Sequence, residues 1–189
     1  VPLKALIAFG AYMQDAIGLT EDDAFWNIAA YHTGNMEAYK VTMNNKFLDY
    51  SMAWADKNQW MGAKSSNKSE WKYNYGENDK HVLFGDWQIC FQTYIDLYNY
   101  TGKKDAHKIA RAREVMEYQM STPTDDYWWW VDGLYMVMPV MTKLYKETRN
   151  ELYLEKLHTY LSFANSIMYD EEAKLYFRDA KYVYPKHKS

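Results

Sequence analysis

Apolar residues recur at helical spacing along most of the chain, and short polar turns separate the periodic stretches. The pattern predicts helices over residues 1–17, 25–43, 46–59, 81–100, 105–120, 128–147 and 152–168. Pro139 is expected to kink or end the sixth of these helices, because proline lacks the backbone N–H that a helix interior needs. Residues 175–177 are a candidate short strand, and no helix is predicted after them.

The periodic pattern disappears between residues 61 and 80. This stretch is rich in Gly, Ser, Asn, Lys and Tyr, without a repeat of period two or 3.6. About twenty residues without regular structure are unusual inside a compact domain and usually belong to a functional loop. We therefore predict that this segment contributes to a functional site.

A Tyr-x-x-Thr motif ends three of the predicted helices, at residues 39–42, 98–101 and 145–148. The copies are 59 and 47 residues apart, and the first interval contains the long polar loop. Each motif follows an apolar, aromatic helix and precedes a more charged one, which is typical of helical-hairpin repeats. The predicted fold is therefore all-α, with inner apolar helices and outer amphipathic ones, although chance similarity among helical hairpins would give the same pattern.

Composition adds one strong deviation, an aromatic content of 18% with 19 Tyr and 8 Trp. These side chains combine an apolar face with a hydrogen-bonding tip, which suits the binding of sugar rings, but a tyrosine-rich helical core would require them equally. The net charge of −3 and the scattered basic residues argue against nucleic acid as a partner. No apolar stretch approaches the length of about 18 residues that a membrane span needs.

Cysteine and histidine give little indication of a metal or redox site. Cys90 is the single cysteine, so an internal disulfide is excluded, and no His/Cys group has metal-ligand spacing. His32 lies near the start of a predicted inner helix and is a candidate substrate contact. The residues leave a periplasmic and a cytoplasmic location open, and they do not indicate an oligomeric state.

Two carboxylates stand where polar loops enter predicted inner helices. Asp86 lies between Phe84-Gly85 and Trp87, and Asp132 follows three consecutive tryptophans at 128–130. If the hairpins share one orientation, both acids face the same end of a central cavity. Burial among indole rings and the charge of the other acid would each raise a carboxyl pKa towards the range of a general acid. Simple capping of the two helices is the alternative interpretation.

These residues resemble a known family. Residues 130–136, Trp-Val-Asp-Gly-Leu-Tyr-Met, followed by Pro139, are similar to the Trp-x-Asp-(Gly/Ala/Thr)-Leu-(Tyr/Phe)-Met…Pro motif of glycoside hydrolase family 105, the unsaturated rhamnogalacturonyl hydrolases. That family is related to the unsaturated glucuronyl hydrolases of family 88. Residues 85–87 with 92–98 resemble its second-acid segment and the helix that follows. Residues 175–179, Leu-Tyr-Phe-Arg-Asp, resemble a later segment of the same family.

The resemblance implies an (α/α)6 toroid that removes a 4,5-unsaturated uronic acid from the non-reducing end of lyase-generated oligosaccharides of the pectin and rhamnogalacturonan type. It assigns Asp132 as the acid that protonates C4 and Asp86 as the second acid. It assigns Trp130 as the aromatic residue that stacks on the sugar. It also implies that neither a metal nor an organic cofactor is required. Trp129 and Trp87, which neighbour these residues, are further candidate substrate contacts.

Two features depart from the family pattern. Many members have a histidine where this chain has Arg178, and an arginine there is expected to pair with the uronate carboxylate. The chain also ends at Ser189, so residues 1–189 are expected to form one incomplete domain, the N-terminal part of the toroid. A non-catalytic glycan-binding repeat module and another toroid sugar enzyme, such as an epimerase, are the alternative functions.

Overall fold

The computed structural model describes residues 4, 5, 8, 12 and 23–182. Within 23–182 it contains six α-helices: α1 (Trp26–Thr42), α2 (Asn45–Lys57), α3 (Cys90–Tyr100), α4 (His107–Ser121), α5 (Asp132–Thr148) and α6 (Leu152–Met168). A two-stranded antiparallel hairpin joins β1 (Tyr169–Asp170) to β2 (Leu175–Tyr176). Single 3-10 turns lie at Lys68–Glu70, Gly85–Trp87 and Ala180–Tyr182. The helix predicted over residues 1–17 lies largely outside the described residues.

The helices form three hairpins, α1–α2, α3–α4 and α5–α6, so the all-α prediction is confirmed. Helices α1, α3 and α5 pack side by side as an inner layer, with α3 in the middle, and α2, α4 and α6 pack behind them. In α3 every residue from 90 to 97 is buried, whereas α4 alternates buried and exposed positions as an outer helix should. The arrangement agrees with part of an (α/α)6 toroid. None of the helices within the described ranges is long and apolar enough to cross a membrane.

The Tyr-x-x-Thr motif ends each inner helix in a similar way. The threonine hydroxyl donates to the carbonyl four residues earlier in all three copies, at 2.7 Å for Thr42 and 2.8 Å for Thr101 and Thr148. The chain then turns through a left-handed backbone conformation, at Met43 and at Arg149 in the first and third copies. The side-chain bond satisfies a carbonyl near the helix end, where backbone partners are scarce. The repeat therefore marks the turn between inner and outer helix.

Helix α5 runs through Pro139, so the prediction that the helix ends there is wrong. A proline at this position cannot donate to the carbonyl of Tyr135, four residues earlier. The side-chain amide of Gln92 on α3 donates to that carbonyl at 2.8 Å, and to the carbonyl of Met136 at 3.0 Å. The neighbouring inner helix thus supplies the missing donor, and the helix continues.

Two inner helices begin later than the periodicity predicts. Residues 81–89 form turns before α3, and residues 128–130 are not helical. Trp130 forms an isolated antiparallel bridge with Asp179, and the N–H of Val131 donates to the carbonyl of Arg178 at 2.8 Å. This long-range pairing holds the aromatic run in an extended conformation and brings the segment after β2 to the start of α5.

Candidate active site

A cavity of about 590 Å³ lies where the segments preceding α3 and α5 meet. Its charged lining residues are Asp86, Asp132 and Arg178. Its aromatic lining residues are Trp26, Tyr75, Phe84, Trp129, Trp130 and Tyr135. A concave, mainly apolar site with a few converging polar groups is the usual form of a small-ligand site. The cavity therefore has the size and the lining expected for a short saccharide.

Asp86 is the buried acid of the pair. It lies in the 3-10 turn before α3, and only 6% of its surface is exposed. Burial raises the pKa of Asp86 from its ordinary 3.8 to about 7, with smaller contributions from the negative charges of Asp132 and Glu77. A carboxyl group in this state holds its proton close to neutral pH, which is the condition for general acid chemistry.

Asp132 is the exposed acid of the pair. It is the first residue of α5 and lines the same cavity as Asp86. The expected burial is therefore found at Asp86, whereas Asp132 is exposed. Capping does not describe either residue, because α5 has Val131 at its N-cap position without a side-chain cap, and α3 begins four residues after Asp86.

The three tryptophans of the aromatic run have different environments. Trp128 is 1% exposed and packs edge-on against Tyr160 of α6, so it belongs to the core rather than to a pocket wall. Trp129 and Trp130 line the cavity, with ring centroids 4.7 Å apart. The Trp130 ring lies close against Gly85, where a Cβ atom would come within 3.1 Å of the indole. A side chain at position 85 would therefore press on the Trp130 ring, which would have to shift by a few tenths of an ångström.

Arg178 supplies the cation of the cavity. Its backbone is fixed by the bond to Val131, and its guanidinium donates to Asp179 at 3.0 Å. Its side chain is nevertheless 65% exposed, whereas that of Asp179 is 7% exposed. The guanidinium therefore retains donors for an anionic ligand, and a planar carboxylate is the group that fits its geometry best.

The structure places the two remaining predicted contacts, Trp87 and His32, away from this lining. Trp87 packs against Phe25 at 4.8 Å, and its indole N–H donates to the carbonyl of Gly76 at 3.0 Å. His32 is enclosed between α1 and α2, with 1% exposure. Its ring stacks on Trp54 at 4.1 Å, and burial lowers its pKa to about 3. Both residues are therefore buried and do not line the cavity.

Sequence reasoning did not identify several exposed aromatic residues of the cavity. Tyr75, Tyr135 and Trp26 are 58%, 57% and 44% exposed and come from a loop and two different helices. Tyr135 lies within the Trp-x-Asp motif, and Tyr75 lies in the long polar loop that was predicted to be functional. Within the described ranges, no group of three or more His, Cys, Asp or Glu side chains is arranged to hold a metal ion.

Comparison with known proteins places these residues in a wider context. Residues 11–189 match the description Glycosyl Hydrolase Family 88. An unsaturated 3S-rhamnoglycuronyl hydrolase of Formosa agariphila is 24% identical over 168 residues, which are 84% of this chain and 41% of the relative. The chain thus spans less than half the length of that curated relative.

Two solved structures are similar over nearly the whole chain. One, described as a polysaccharide lyase, has a TM-score of 0.92 and 62% identity. The match covers all of this chain and 54% of the lyase chain. The other, described as glycosyl hydrolase family 88 from Bacteroides vulgatus, has a TM-score of 0.90 and 57% identity, with 98% and 54% of the two chains covered.

Proposed function

The chain belongs to Glycosyl Hydrolase Family 88, and on this premise we propose that the protein removes a 4,5-unsaturated uronic acid from the non-reducing end of lyase-generated oligosaccharides. The single observation that carries the proposal is a buried acid, Asp86, whose pKa is about 7, in one cavity with Asp132 and Arg178. A substrate of the pectin or rhamnogalacturonan type, as in family 105, is the narrower form of the proposal. Residues 1–189 would then be one domain, the N-terminal part of an (α/α)6 toroid.

The chemistry is hydration of the C4=C5 bond, which is an enol ether. Asp132 transfers a proton to C4, and the ring oxygen stabilises the positive charge that develops at C5. The Asp132 carboxylate then takes a proton from water as the water oxygen bonds to C5. The resulting hemiketal opens, and the rest of the saccharide leaves as an alcohol, so that one water is consumed for each glycosidic bond cleaved. No metal or organic cofactor enters these steps.

The two acids act as a pair in this scheme. Near pH 7 Asp86 holds its proton about half of the time, because burial favours its neutral form. Asp86 supplies the proton that Asp132 delivers to the sugar. Asp132, exposed at the start of α5, is the member that can reach the sugar. Arg178 binds the uronate carboxylate, and Trp130 and Trp129 pack against the sugar ring.

A polysaccharide lyase is the second candidate, because one of the two similar structures carries that description. A lyase must abstract a proton from C5 and stabilise the negative charge that follows. Two acids and, within residues 23–182, a single lining cation suit the delivery of a proton better than its abstraction. Both candidates use uronides, and they differ in the direction of change at the C4=C5 bond.

The test follows the ultraviolet absorbance of the C4=C5 bond in the intact protein. The hydrolase consumes the absorbance of a lyase-generated oligosaccharide, whereas a lyase generates absorbance from a saturated polysaccharide. Asp132→Asn should lower kcat/KM by about 10²–10⁴-fold, the usual contribution of a general acid. A wild-type rate in Asp132→Asn would contradict the mechanism, and a gain in absorbance would establish the lyase instead.

A further inference from the structure

Residues 73–76 of the long polar loop are held beside the cavity by hydrogen bonds from three side chains. Three of their backbone carbonyls accept side-chain hydrogen bonds: Tyr73 from the indole of Trp129 at 3.3 Å, Asn74 from Nδ1 of His81 at 2.9 Å, and Gly76 from the indole of Trp87 at 3.0 Å. Because a carbonyl only accepts, His81 carries its proton on Nδ1. Each of the three donors is itself half-buried or buried, so the segment is fixed from several sides.

Gly76 shows how closely this segment is packed. A Cβ atom at this position would lie 2.1 Å from Nε2 of His81, a distance that real contacts do not reach. The backbone therefore lies directly on the imidazole ring, which only glycine allows. The neighbouring residue, Tyr75, is in consequence held in place while its own side chain is free of the core.

Tyr75 and Glu77 form a tyrosine–carboxylate pair in which Tyr75 lines the cavity and Glu77 lines the neighbouring pocket. The Tyr75 ring is 58% exposed, lines the cavity and contacts Phe84 edge-on with centroids 5.8 Å apart. Its hydroxyl donates to the Glu77 carboxylate, and this bond raises the pKa of the Tyr75 phenol, so the phenol remains a donor. An ordered aromatic face beside a hydrogen-bonding carboxylate is a suitable surface for one sugar ring.

The charges around the cavity restrict which sugar this surface accepts. Glu77 is close enough to contribute to the raised pKa of Asp86, so three acids act on the region. Arg178 is the one cation among the cavity-lining positions of residues 23–182. If Arg178 binds the carboxylate of the unsaturated uronic acid, a second anionic sugar in this cavity would meet the like charge of Glu77, which disfavours binding. Lys64 lines the neighbouring pocket together with Glu77 but is not part of this cavity's lining. A neutral sugar could instead donate its hydroxyls to Glu77.

We propose that Tyr75 and Glu77 form the subsite for the sugar that follows the unsaturated uronic acid, and that they select a neutral sugar over a charged one. The inference rests on the proposed function, since it assumes that an unsaturated uronide occupies the part of the cavity beside Asp86 and Asp132. Tyr75 packs on the apolar face of the second ring, and Glu77 accepts its hydroxyls. Both are positioning and specificity residues, and neither takes part in the proton transfers.

The test compares three unsaturated uronides in the intact protein: one linked to a neutral sugar, one linked to a second uronic acid, and the methyl glycoside, which has no second sugar. The wild type should prefer the neutral disaccharide over the acidic one. Glu77→Gln should reduce this preference in kcat/KM by about tenfold at low salt, and less at high salt because the residue is exposed. Tyr75→Ala should lose about tenfold more on the neutral disaccharide than on the methyl glycoside.

Tyr145 and Glu151 provide a matched control. They form the same kind of pair, with the Tyr145 hydroxyl donating to Glu151 at 3.2 Å, at the end of α5 farther along the chain from Asp132. Glu151→Gln should leave both substrate ratios unchanged. If the wild type consumes unsaturated uronides but Glu77→Gln and Tyr75→Ala leave the ratios as they were, the subsite is wrong and the hydrolase stands. If the wild type consumes none of the three compounds, both proposals are overturned.

Discussion

Asp86 and His32 are both buried titratable residues near the starts of inner helices, yet their surroundings differ in kind. Asp86 is 6% exposed and His32 is 1% exposed, and burial moves the pKa of each towards its neutral form, to about 7 and about 3. Asp86 faces a cavity that also contains a second acid and a cation. His32 lies between the rings of Trp54 and Tyr50, with its Nδ1 2.9 Å from the hydroxyl of Ser51.

The difference shows that a strongly shifted pKa is not by itself a sign of function. Both shifts have desolvation as their first cause. In the His32 region Nδ1 has a hydrogen-bond partner and the ring stacks on Trp54 and Tyr50, so the shift records the packing of α1 on α2. In the Asp86 region like charges add to desolvation, and a ligand can reach the group. Access and unbalanced charge, more than burial, distinguish the two regions.

The largest expected contrast between the two regions is in turnover. Asp86→Asn should lower kcat/KM on an unsaturated uronide by about 10²–10⁴-fold, because the pair loses the proton that it holds near neutral pH. His32→Gln should change kcat/KM by less than about threefold while the protein remains folded. His32 does not line the cavity, so its replacement should affect stability rather than turnover. Circular dichroism on the same samples checks the fold. Equal losses in the two variants would remove the distinction.

The helices could be predicted from the sequence because their apolar faces repeat locally. The bounds of α6 are those that the periodicity predicts, and α2 and α4 differ by one or two residues at each end. The helix bounds that were predicted wrongly depend on long-range contacts. Gln92 supplies the donor that lets α5 pass Pro139, and the Arg178 carbonyl holds Val131 before α5 begins. No local pattern contains either contact.

The site could be predicted as far as its residues belong to motifs. Asp86, Asp132, Trp130 and Arg178 come from the segments that resemble the family, Trp129 directly precedes one of them, and the structure brings all five to one cavity. Their catalytic and binding roles stay predictions. Tyr75 could not be assigned to the site from the sequence, because its position depends on long-range contacts. Two of the three hydrogen bonds that hold its loop come from Trp87 and Trp129, which lie more than ten residues from the carbonyls that accept them. Nor could sequence alone tell which tryptophan faces the core, since that depends on the bridge between Trp130 and Asp179.

A second contrast concerns the pH dependence of stability, where the two regions should have opposite signs. The folded pKa of Asp86 lies above its unfolded value of about 3.8, so its contribution is full below that pH and is lost as the pH rises through about 7. The folded pKa of His32 lies below its unfolded value of 6.5, so its contribution is full above that pH and is lost as the pH falls. In the wild type the two trends oppose each other.

Each variant should therefore expose the trend of the other residue. Between pH 7 and pH 5, Asp86→Asn should lose about 2 kcal/mol more of its free energy of unfolding than the wild type, and His32→Gln about 2 kcal/mol less. Urea unfolding of the intact protein at the two pH values measures both, and other titrating groups cancel in the differences. Differences from the wild type that have the same sign in the two variants would show that one of the two pKa shifts has the wrong direction.

The smallest expected effect tests whether the His32 region is sealed. The Ser51 hydroxyl accepts from the Asn35 amide at 3.2 Å and can therefore donate to Nδ1 of His32. Ser51→Ala leaves two buried polar groups without this partner and should lower the free energy of unfolding by about 1–3 kcal/mol. Because the change stays between α1 and α2, kcat/KM and its pH profile should match those of the wild type. A shifted pH profile would show that His32 acts on the cavity after all, and the contrast with Asp86 would then be one of distance rather than of kind.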